Sequence, residues 1–97
     1  MRVRFTLRAL ADLEEIGDYI FQRNPRTAAR VRAAVHRSIN LARYFPRRGR
    51  KQNSHDVRKV GAGKYPFNIY YRIDEAEQVI VILQIRRATR RQRYKNS

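Results

Sequence analysis

Arginine and lysine are the residues of this sequence best suited to binding a ligand. Ten of them fall between Tyr19 and His55, a stretch with no acidic residue, and six more fall within Arg86 to Lys95. Arginine binds phosphate and carboxylate through pairs of parallel hydrogen bonds. The formal net charge is +15 over 97 residues. We therefore expect a polyanionic partner, either nucleic acid or a strongly acidic protein segment.

Two groups of cations are candidate binding residues. The candidates for target binding or toxicity lie at the end of the last expected strand and just beyond it: Arg86, Arg87, Arg90 and Arg91. The candidates for phosphate contact lie in the central basic stretch and the strand that follows: Arg48, Arg50, Lys51, Arg58 and Lys59. We expect Arg87 to matter most, because an ordered strand would fix its backbone and its guanidinium keeps its charge at any physiological pH.

Few residues could transfer a proton or bind a metal. His36 is expected on a helix surface, and His55 stands alone in a basic loop. Two histidines so far apart, with no carboxylates at ligand spacing, give no signal of a metal site. The chain has no cysteine, so no disulfide is possible. We expect neither a metal nor a cofactor.

The first half of the chain predicts one strand and two helices. Val3 and Phe5 alternate with polar residues, as in a short strand. Apolar residues then recur at helical steps from about residue 7 to 22 and from about 25 to 44. Asn24 is a good N-cap and Pro25 suits the first position of a helix, so a tight turn should make the two helices an antiparallel hairpin. The expected buried stripes are Leu10, Leu13, Ile16 and Ile20, and then Ala28, Val31, Val35, Ile39, Ala42 and Phe45.

The second half has a hydrophobic period of two and predicts three strands, at about residues 56–60, 67–73 and 79–85. The last is apolar enough for a central strand covered on both faces. Tyr70 shares a strand face with Asn68 and Arg72 and is expected either to pack or to line a surface. The predicted fold class is α+β, a β-α-α-β-β-β chain with the helical hairpin packed on a four-stranded, mainly antiparallel sheet. One domain covers residues 1–97, with a basic C-terminal tail at about 88–97.

The sequence shows no segment that predicts a membrane or secretory location. The longest apolar run, Val79 to Leu83, is too short to cross a bilayer. Met1 to Phe5 contains neither an apolar region nor a cleavage site. We expect a cytoplasmic protein without a membrane partner.

Three segments carry a resemblance to a known family. They are Leu10 to Ile20 with Asn24 to Ala29, then Phe45 to Arg50, then Val57 to Val60 leading through Lys64 to Ile73 and Val79 to Arg87. In this order and spacing, over about residues 3–91, they resemble the RelE/ParE superfamily of bacterial type II toxins. The ParE branch, the plasmid-stabilisation toxins, is the more similar one.

The resemblance implies a growth-inhibiting toxin paired with an acidic antitoxin encoded nearby. ParE-like members poison DNA gyrase and are not known as hydrolases, whereas RelE-like members cleave ribosome-bound mRNA. RelE-like sites carry an arginine on the strand corresponding to Phe67–Ile73, where the nearest equivalent in this chain is Asn68. They also keep an arginine at the position of Arg87 and a tyrosine near Tyr94. The resemblance therefore favours a non-enzymatic gyrase inhibitor.

Two alternatives remain open. One is a metal-independent endoribonuclease of the RelE kind, with Arg87, Tyr94 and His55 as its catalytic candidates. It would need a proton donor and acceptor as well as cations for the charged intermediate. The other, from the basic surface and the interleaved tyrosines, is a non-toxic nucleic-acid-binding module, although the sequence contains no RNP motif, KH loop or zinc finger.

Overall fold

The computed structural model describes residues 1–54 and 56–88. Candidate residues His55, Arg90, Arg91 and Tyr94, and the expected tail after Ala88, lie outside the described residues. Three elements make up the first half of the chain: strand β1 at Arg2–Phe5, helix α1 at Leu7–Arg23 and helix α2 at Pro25–Tyr44.

Asn24 separates the two helices, as the sequence predicted. Its backbone N–H donates to the Ile20 carbonyl and so ends α1. Its side chain accepts a hydrogen bond from the Thr27 amide at 3.2 Å and so caps the start of α2. Because one residue does both, the connection is as short as an antiparallel hairpin requires.

The sheet has five strands. After a 3-10 turn at Pro46–Arg48, the chain forms β2 at Arg50–Lys51, β3 at Val57–Ala62, β4 at Tyr65–Asp74 and β5 at Val79–Arg87. The order is β1-β5-β4-β3-β2, with β1 parallel to β5 and the other pairs antiparallel. The α+β class and the mainly antiparallel sheet are confirmed.

The predicted count of four strands was too low by one. The strand that the sequence did not reveal is β2, which pairs with β3 only through Arg50 with Lys59 and Lys51 with Arg58. Two exposed cations in a basic loop show no alternation of apolar and polar residues, so the hydrophobic pattern could not mark this strand.

The core lies between the helical hairpin and one face of the sheet. Val31, Val35 and Ile39 of α2 pack there against strand residues that include Ile69 and Ile82. The sequence predicted β5 as a central strand covered on both faces. This is confirmed, because its first four residues, 79–82, are all buried.

Three side chains clarify how the hydrophobic pattern maps onto the fold. Leu10 is 48% exposed, because the buried stripe of α1 runs through Ala9 instead. Phe45 is 63% exposed, because it is the residue that ends α2 and its backbone has left helical geometry. Tyr70 is fully buried. Membership of the stripes was therefore wrong at Leu10 and Phe45.

None of the helices in the described residues combines the length and the hydrophobicity needed to span a membrane.

Candidate target-binding and phosphate-binding clefts

Helix α1 holds the end of strand β5 on the side where β1 has already ended. The Thr6 hydroxyl donates to the Leu83 carbonyl at 3.0 Å. Asp12 Oδ2 accepts a hydrogen bond from the Ile85 amide at 3.0 Å, and Asp12 Oδ1 contacts Arg8 Nε at 3.2 Å. Since β1 ends before this segment, the Leu83 carbonyl and the Ile85 amide bond to side chains instead of to a neighbouring strand. Strand β5 therefore stays ordered to its last residues.

Strand β4 holds the other side of the same segment. Phe67 pairs with Arg87 and Asn68 pairs with Arg86, and the Ala88 amide donates to the Pro66 carbonyl at 2.7 Å. Successive side chains on a strand point to opposite faces. Arg86 and Arg87 therefore lie on opposite faces of the sheet, on a backbone that is held from both sides.

Arg87 lies at a largely apolar cleft of about 690 Å³ between the helical hairpin and the start of β4. We call it the Arg87 cleft. Its lining residues are Glu15, Ile16, Tyr19, Ile20, Thr27, Val31, Tyr65, Pro66, Phe67 and Arg87. Tyr19 is more than half exposed, and the Arg23 guanidinium lies over its ring, 3.8 Å from the centroid, so part of the aromatic surface is open to a partner. One cation and one carboxylate beside apolar side chains suit a protein segment better than a phosphate chain.

Arg86 lies on the opposite face, close to Asn68 and Tyr70. Burial raises the pKa of Tyr70, while the charge of Arg86 and a hydrogen bond with Asn68 act in the lowering direction. A buried phenol with a raised pKa stays protonated at neutral pH and cannot act there as a general base. His36, the one histidine in the described residues, is exposed on α2 and lines neither this region nor the Arg87 cleft.

A second cleft, of about 540 Å³, lies between the C-terminal half of α2 and β3. We call it the basic cleft. Its lining residues are Ala34, Arg37, Ser38, Leu41, Arg48, Arg50, Lys59, Val60, Gly61 and Gly63. Four of them are cations and none is acidic. The two clefts share no lining residue, although α2 borders both.

Four hydrogen bonds fix the main chain next to Arg48 and Arg50. The Tyr71 hydroxyl donates to the Pro46 carbonyl at 2.6 Å and accepts from the Gly49 amide at 3.1 Å. Arg58 Nη1 donates to the Gly49 carbonyl at 3.0 Å and makes a second bond of the same length to the Arg47 carbonyl. Tyr71 and Arg58 therefore anchor the main chain of this loop to the sheet.

Position 49 requires glycine, because the side chains of Tyr71 and Arg58 lie close to its backbone. A Cβ atom there would lie 2.6 Å from Tyr71 Oη and 3.0 Å from Arg58 Cβ. Real Cβ atoms essentially never approach other heavy atoms as closely as the first of these distances, so any larger residue must displace the anchor.

The structure separates the five predicted phosphate-contact residues. Arg48, Arg50 and Lys59 line the basic cleft. Lys51 and Arg58 lie instead at a smaller depression of about 270 Å³ that also contains Asp56 and Glu75. Arg58 bonds to backbone carbonyls, so its structural role is to position the loop.

Sequence reasoning missed three residues that define these sites. Arg37 is not among the candidate residues predicted from the sequence. Its spacing of three residues from Ala34 and four from Leu41 could have placed it on one face with them. Asp12 and Tyr71 act through contacts with residues distant in sequence, for which sequence patterns carry no signal.

Within residues 1–54 and 56–88, no group of three or more His, Cys, Asp or Glu side chains could hold a metal ion.

Comparison with known proteins identifies the family. A family model described as "ParE toxin of type II toxin-antitoxin system, parDE" matches residues 3–92. The chain belongs to the ParE toxin family. This result confirms the resemblance to the RelE/ParE superfamily and its ParE branch, and it establishes the chain as a type II toxin of the ParE/RelE kind.

Relatives and solved structures agree with this family. The chain is similar to "Putative toxin Y4kP" of Sinorhizobium fredii, with 34% identity over 82 residues, 84% of this chain and 85% of the relative. Its fold is similar to that in the chromosomal ParDE system of P. aeruginosa, with a TM-score of 0.76, 24% identity, and 92% and 97% coverage of the two chains. It is also similar to the intact E. coli RelBE toxin–antitoxin complex, with a TM-score of 0.66, 14% identity, and 92% and 98% coverage. Both branches share this fold, so the target must be argued from the sites.

Proposed function

We propose that this toxin inhibits growth by a non-enzymatic action on DNA gyrase, in the manner of the ParE branch, and that it acts in the cytoplasm. The observation that carries the proposal is the composition of the region around Arg86 and Arg87. RelE-like sites have an arginine on the strand that corresponds to β4, where the nearest equivalent in this chain is Asn68, which pairs with Arg86 on β5.

The described residues near Arg86 and Arg87 include few groups that could transfer a proton during RNA cleavage. Cleavage of RNA without a metal needs a base for the 2′-hydroxyl and an acid for the leaving oxygen. Next to Arg86, the titratable side chain is Tyr70, which is buried and whose pKa is raised by that burial. The Arg87 cleft adds a single carboxylate, that of Glu15. This environment supports binding by fixed cations over bond cleavage.

The fixed arginines suit recognition of a protein or protein–DNA target. The backbone of Arg87 is ordered by β4 and, through Ile85, by Asp12 of α1. An arginine whose backbone is ordered in this way loses less backbone freedom on binding an anionic group than one on a free segment.

We further propose that an acidic antitoxin covers the Arg87 cleft. Solved structures similar to this chain include systems described as toxin–antitoxin pairs. The cleft offers apolar side chains together with Arg87, which fits a segment carrying apolar anchors and a carboxylate. An antitoxin bound in the Arg87 cleft would cover Arg87, the residue that we assign to toxicity.

Two assays with purified protein test the target. The wild-type protein should inhibit supercoiling by gyrase or trap gyrase on DNA, and it should leave mRNA on programmed ribosomes intact. Arg87→Ala should weaken the gyrase effect at least tenfold, about 1.4 kcal/mol or more, through the loss of one charge-assisted contact.

The matched control is Arg26→Ala, which removes an exposed arginine at the start of α2. It should leave gyrase inhibition within about twofold of wild type, as expected for a surface charge outside the contact. Cleavage of ribosome-bound mRNA, lost in Arg87→Ala, would establish the RelE-like alternative and refute the gyrase proposal.

A further inference from the structure

The basic cleft concentrates positive charge on one surface of the molecule. Arg37 and the anchored Arg48 and Arg50 line it from three different elements, together with Lys59. The side chains of the three arginines make no hydrogen bond or ion pair with any described residue. Like charges that converge in this way raise the free energy of the folded protein, and a bound anion would lower it.

The geometry of the cleft admits an extended chain. It runs between a helix and a strand edge, and β2 covers that edge only opposite Arg58 and Lys59. Gly61 and Gly63 leave open space at their positions, since a Cβ atom at either would meet nothing within 4 Å. The side chain of Ser38 adds a hydroxyl to the lining.

We propose that the basic cleft binds the phosphodiester backbone of a single-stranded nucleic acid. Guanidinium groups recognise phosphate oxygens through paired hydrogen bonds, and cations contributed by several elements match the repeated charges of one strand. The gap between one helix and one strand edge fits a single backbone. This site is separate from the Arg87 cleft, and the proposal does not depend on the gyrase target.

The lining also favours phosphate over an acidic protein segment. A stable protein interface needs an apolar centre with anchor side chains. The apolar side chains of the basic cleft are Ala34, Leu41 and Val60, with no aromatic residue among its lining. The Arg87 cleft, by contrast, offers Tyr19, Tyr65 and Phe67.

Fluorescence anisotropy with a short labelled oligothymidylate, measured over a range of NaCl concentrations, tests the proposal. The Arg37→Gln/Arg50→Gln double variant should bind about tenfold more weakly than wild type at moderate salt. The slope of log affinity against log salt should fall in magnitude by about 1.4, because two phosphate contacts are lost.

Arg26→Gln/Arg30→Gln is the control matched in charge. It removes two exposed arginines from the same helix, outside the cleft. It should change the affinity by no more than about twofold. Equal weakening by the two double variants would show that binding follows the overall charge and would overturn the site.

A second pair of variants tests where the nucleic-acid strand lies in the basic cleft, without removing a cation. Gly61→Glu places a carboxylate in open space within the cleft and should weaken oligothymidylate binding, while Gly61→Gln, of equal size, should have a much smaller effect. Thermal unfolding would confirm that both variants fold. Equal affinities for Gly61→Glu and wild type would contradict the proposal.

Competition identifies the ligand class. An unlabelled oligouridylate of the same length should displace the label as well as unlabelled oligothymidylate does, because the phosphate backbone is common to both. Polyglutamate of equal charge should compete poorly. Displacement by polyglutamate as effective as by the oligonucleotides would assign the cleft to an acidic protein and refute nucleic-acid binding.

Discussion

The Arg87 cleft and the basic cleft border the two halves of one helix, yet they differ in what they can bind. The N-terminal half of α2 contributes Thr27 and Val31 to an apolar cleft with a single cation. The C-terminal half contributes Arg37 and Leu41 to a cleft with four cations. Net charge alone suggests one polyanionic partner for the whole molecule, whereas the structure divides the charge between two kinds of surface.

The two clefts also differ in how their cations are fixed. Arg87 owes its position to strand pairing and to the contact between Asp12 and Ile85. Arg48 and Arg50 owe theirs to a loop anchored on Tyr71. The anchors are independent, so each cleft can be disturbed without the other.

The largest effect on stability is expected for Gly49→Ala. The new methyl group collides with Tyr71 Oη and breaks the loop anchor, so the free energy of unfolding should fall by about 2–3 kcal/mol. Oligothymidylate binding should weaken with it. Urea unfolding and anisotropy measure the two effects. Gly61→Ala is the matched control, since its Cβ meets no atom within 4 Å, and a loss of stability equal to that of Gly49→Ala would refute the close-approach argument.

Asp12→Ala should produce the corresponding effect on the Arg87 side. It leaves the Ile85 amide without its acceptor in a part-buried position, which should cost about 2 kcal/mol of unfolding free energy. Toxicity should fall and oligothymidylate binding should persist. Denaturant unfolding and growth assays measure these outcomes, with Asp18→Ala, an exposed carboxylate on the same helix, as control. Weakened oligothymidylate binding in folded Asp12→Ala protein would show that the clefts are coupled.

Salt should separate the two ligands. Binding of oligothymidylate should weaken by about tenfold or more when NaCl rises from low to moderate concentration. The complex with the antitoxin should weaken only a few-fold, because burial of apolar surface contributes to it and is not screened. Titrations of both ligands at two salt concentrations give the comparison. Equal salt dependence would mean that charge dominates both interfaces.

The smallest expected effect is that of alkaline pH on the loop anchor formed by Tyr71. Burial raises the pKa of Tyr71 above its ordinary value of 10.0, while the Gly49 amide and the charges of Arg58 and Arg48 act in the lowering direction. A raised folded-state pKa gives stability that is present below the unfolded pKa and is lost as pH rises through the folded one. Tyr71→Phe should cost about 1 kcal/mol near neutrality and should reduce the loss of stability above about pH 10.

Thermal unfolding across this range checks the prediction for Tyr71. Tyr70, whose pKa is also raised by burial, should account for a remaining part of the alkaline loss. Tyr65→Phe is a suitable control, because Tyr65 is only partly buried. An alkaline profile for Tyr71→Phe identical to that of wild type would contradict the assigned role.

Local patterns in the sequence predicted most of the fold. The change of hydrophobic period from helical to alternating marked α1, α2, β4 and β5, and Asn24 with Pro25 marked the boundary between the helices. Strand β2 was not predicted, because its pairing with β3 is decided by tertiary contacts and not by its own side chains.

The candidate sites were predictable only in part. Arg48, Arg50 and Arg87 are recognisable from charge and position, and the structure places them in clefts. The role of Arg58 as an anchor could not be predicted, because its carbonyl partners lie about ten residues earlier in a loop without a regular pattern. The contact of Asp12 with Ile85 joins residues 73 positions apart, a separation over which single-sequence patterns carry no information.

Growth after induced expression without an antitoxin tests the central claim most directly, namely that toxicity depends on Arg87 and not on the basic cleft. Wild-type protein and the Arg37→Gln/Arg50→Gln variant should both arrest growth. Arg87→Ala should restore growth while the protein accumulates in folded form, and its affinity for the antitoxin should fall only in part, because the apolar side chains of the Arg87 cleft remain. Full arrest by folded Arg87→Ala protein, or restored growth with the Arg37→Gln/Arg50→Gln variant, would contradict the account.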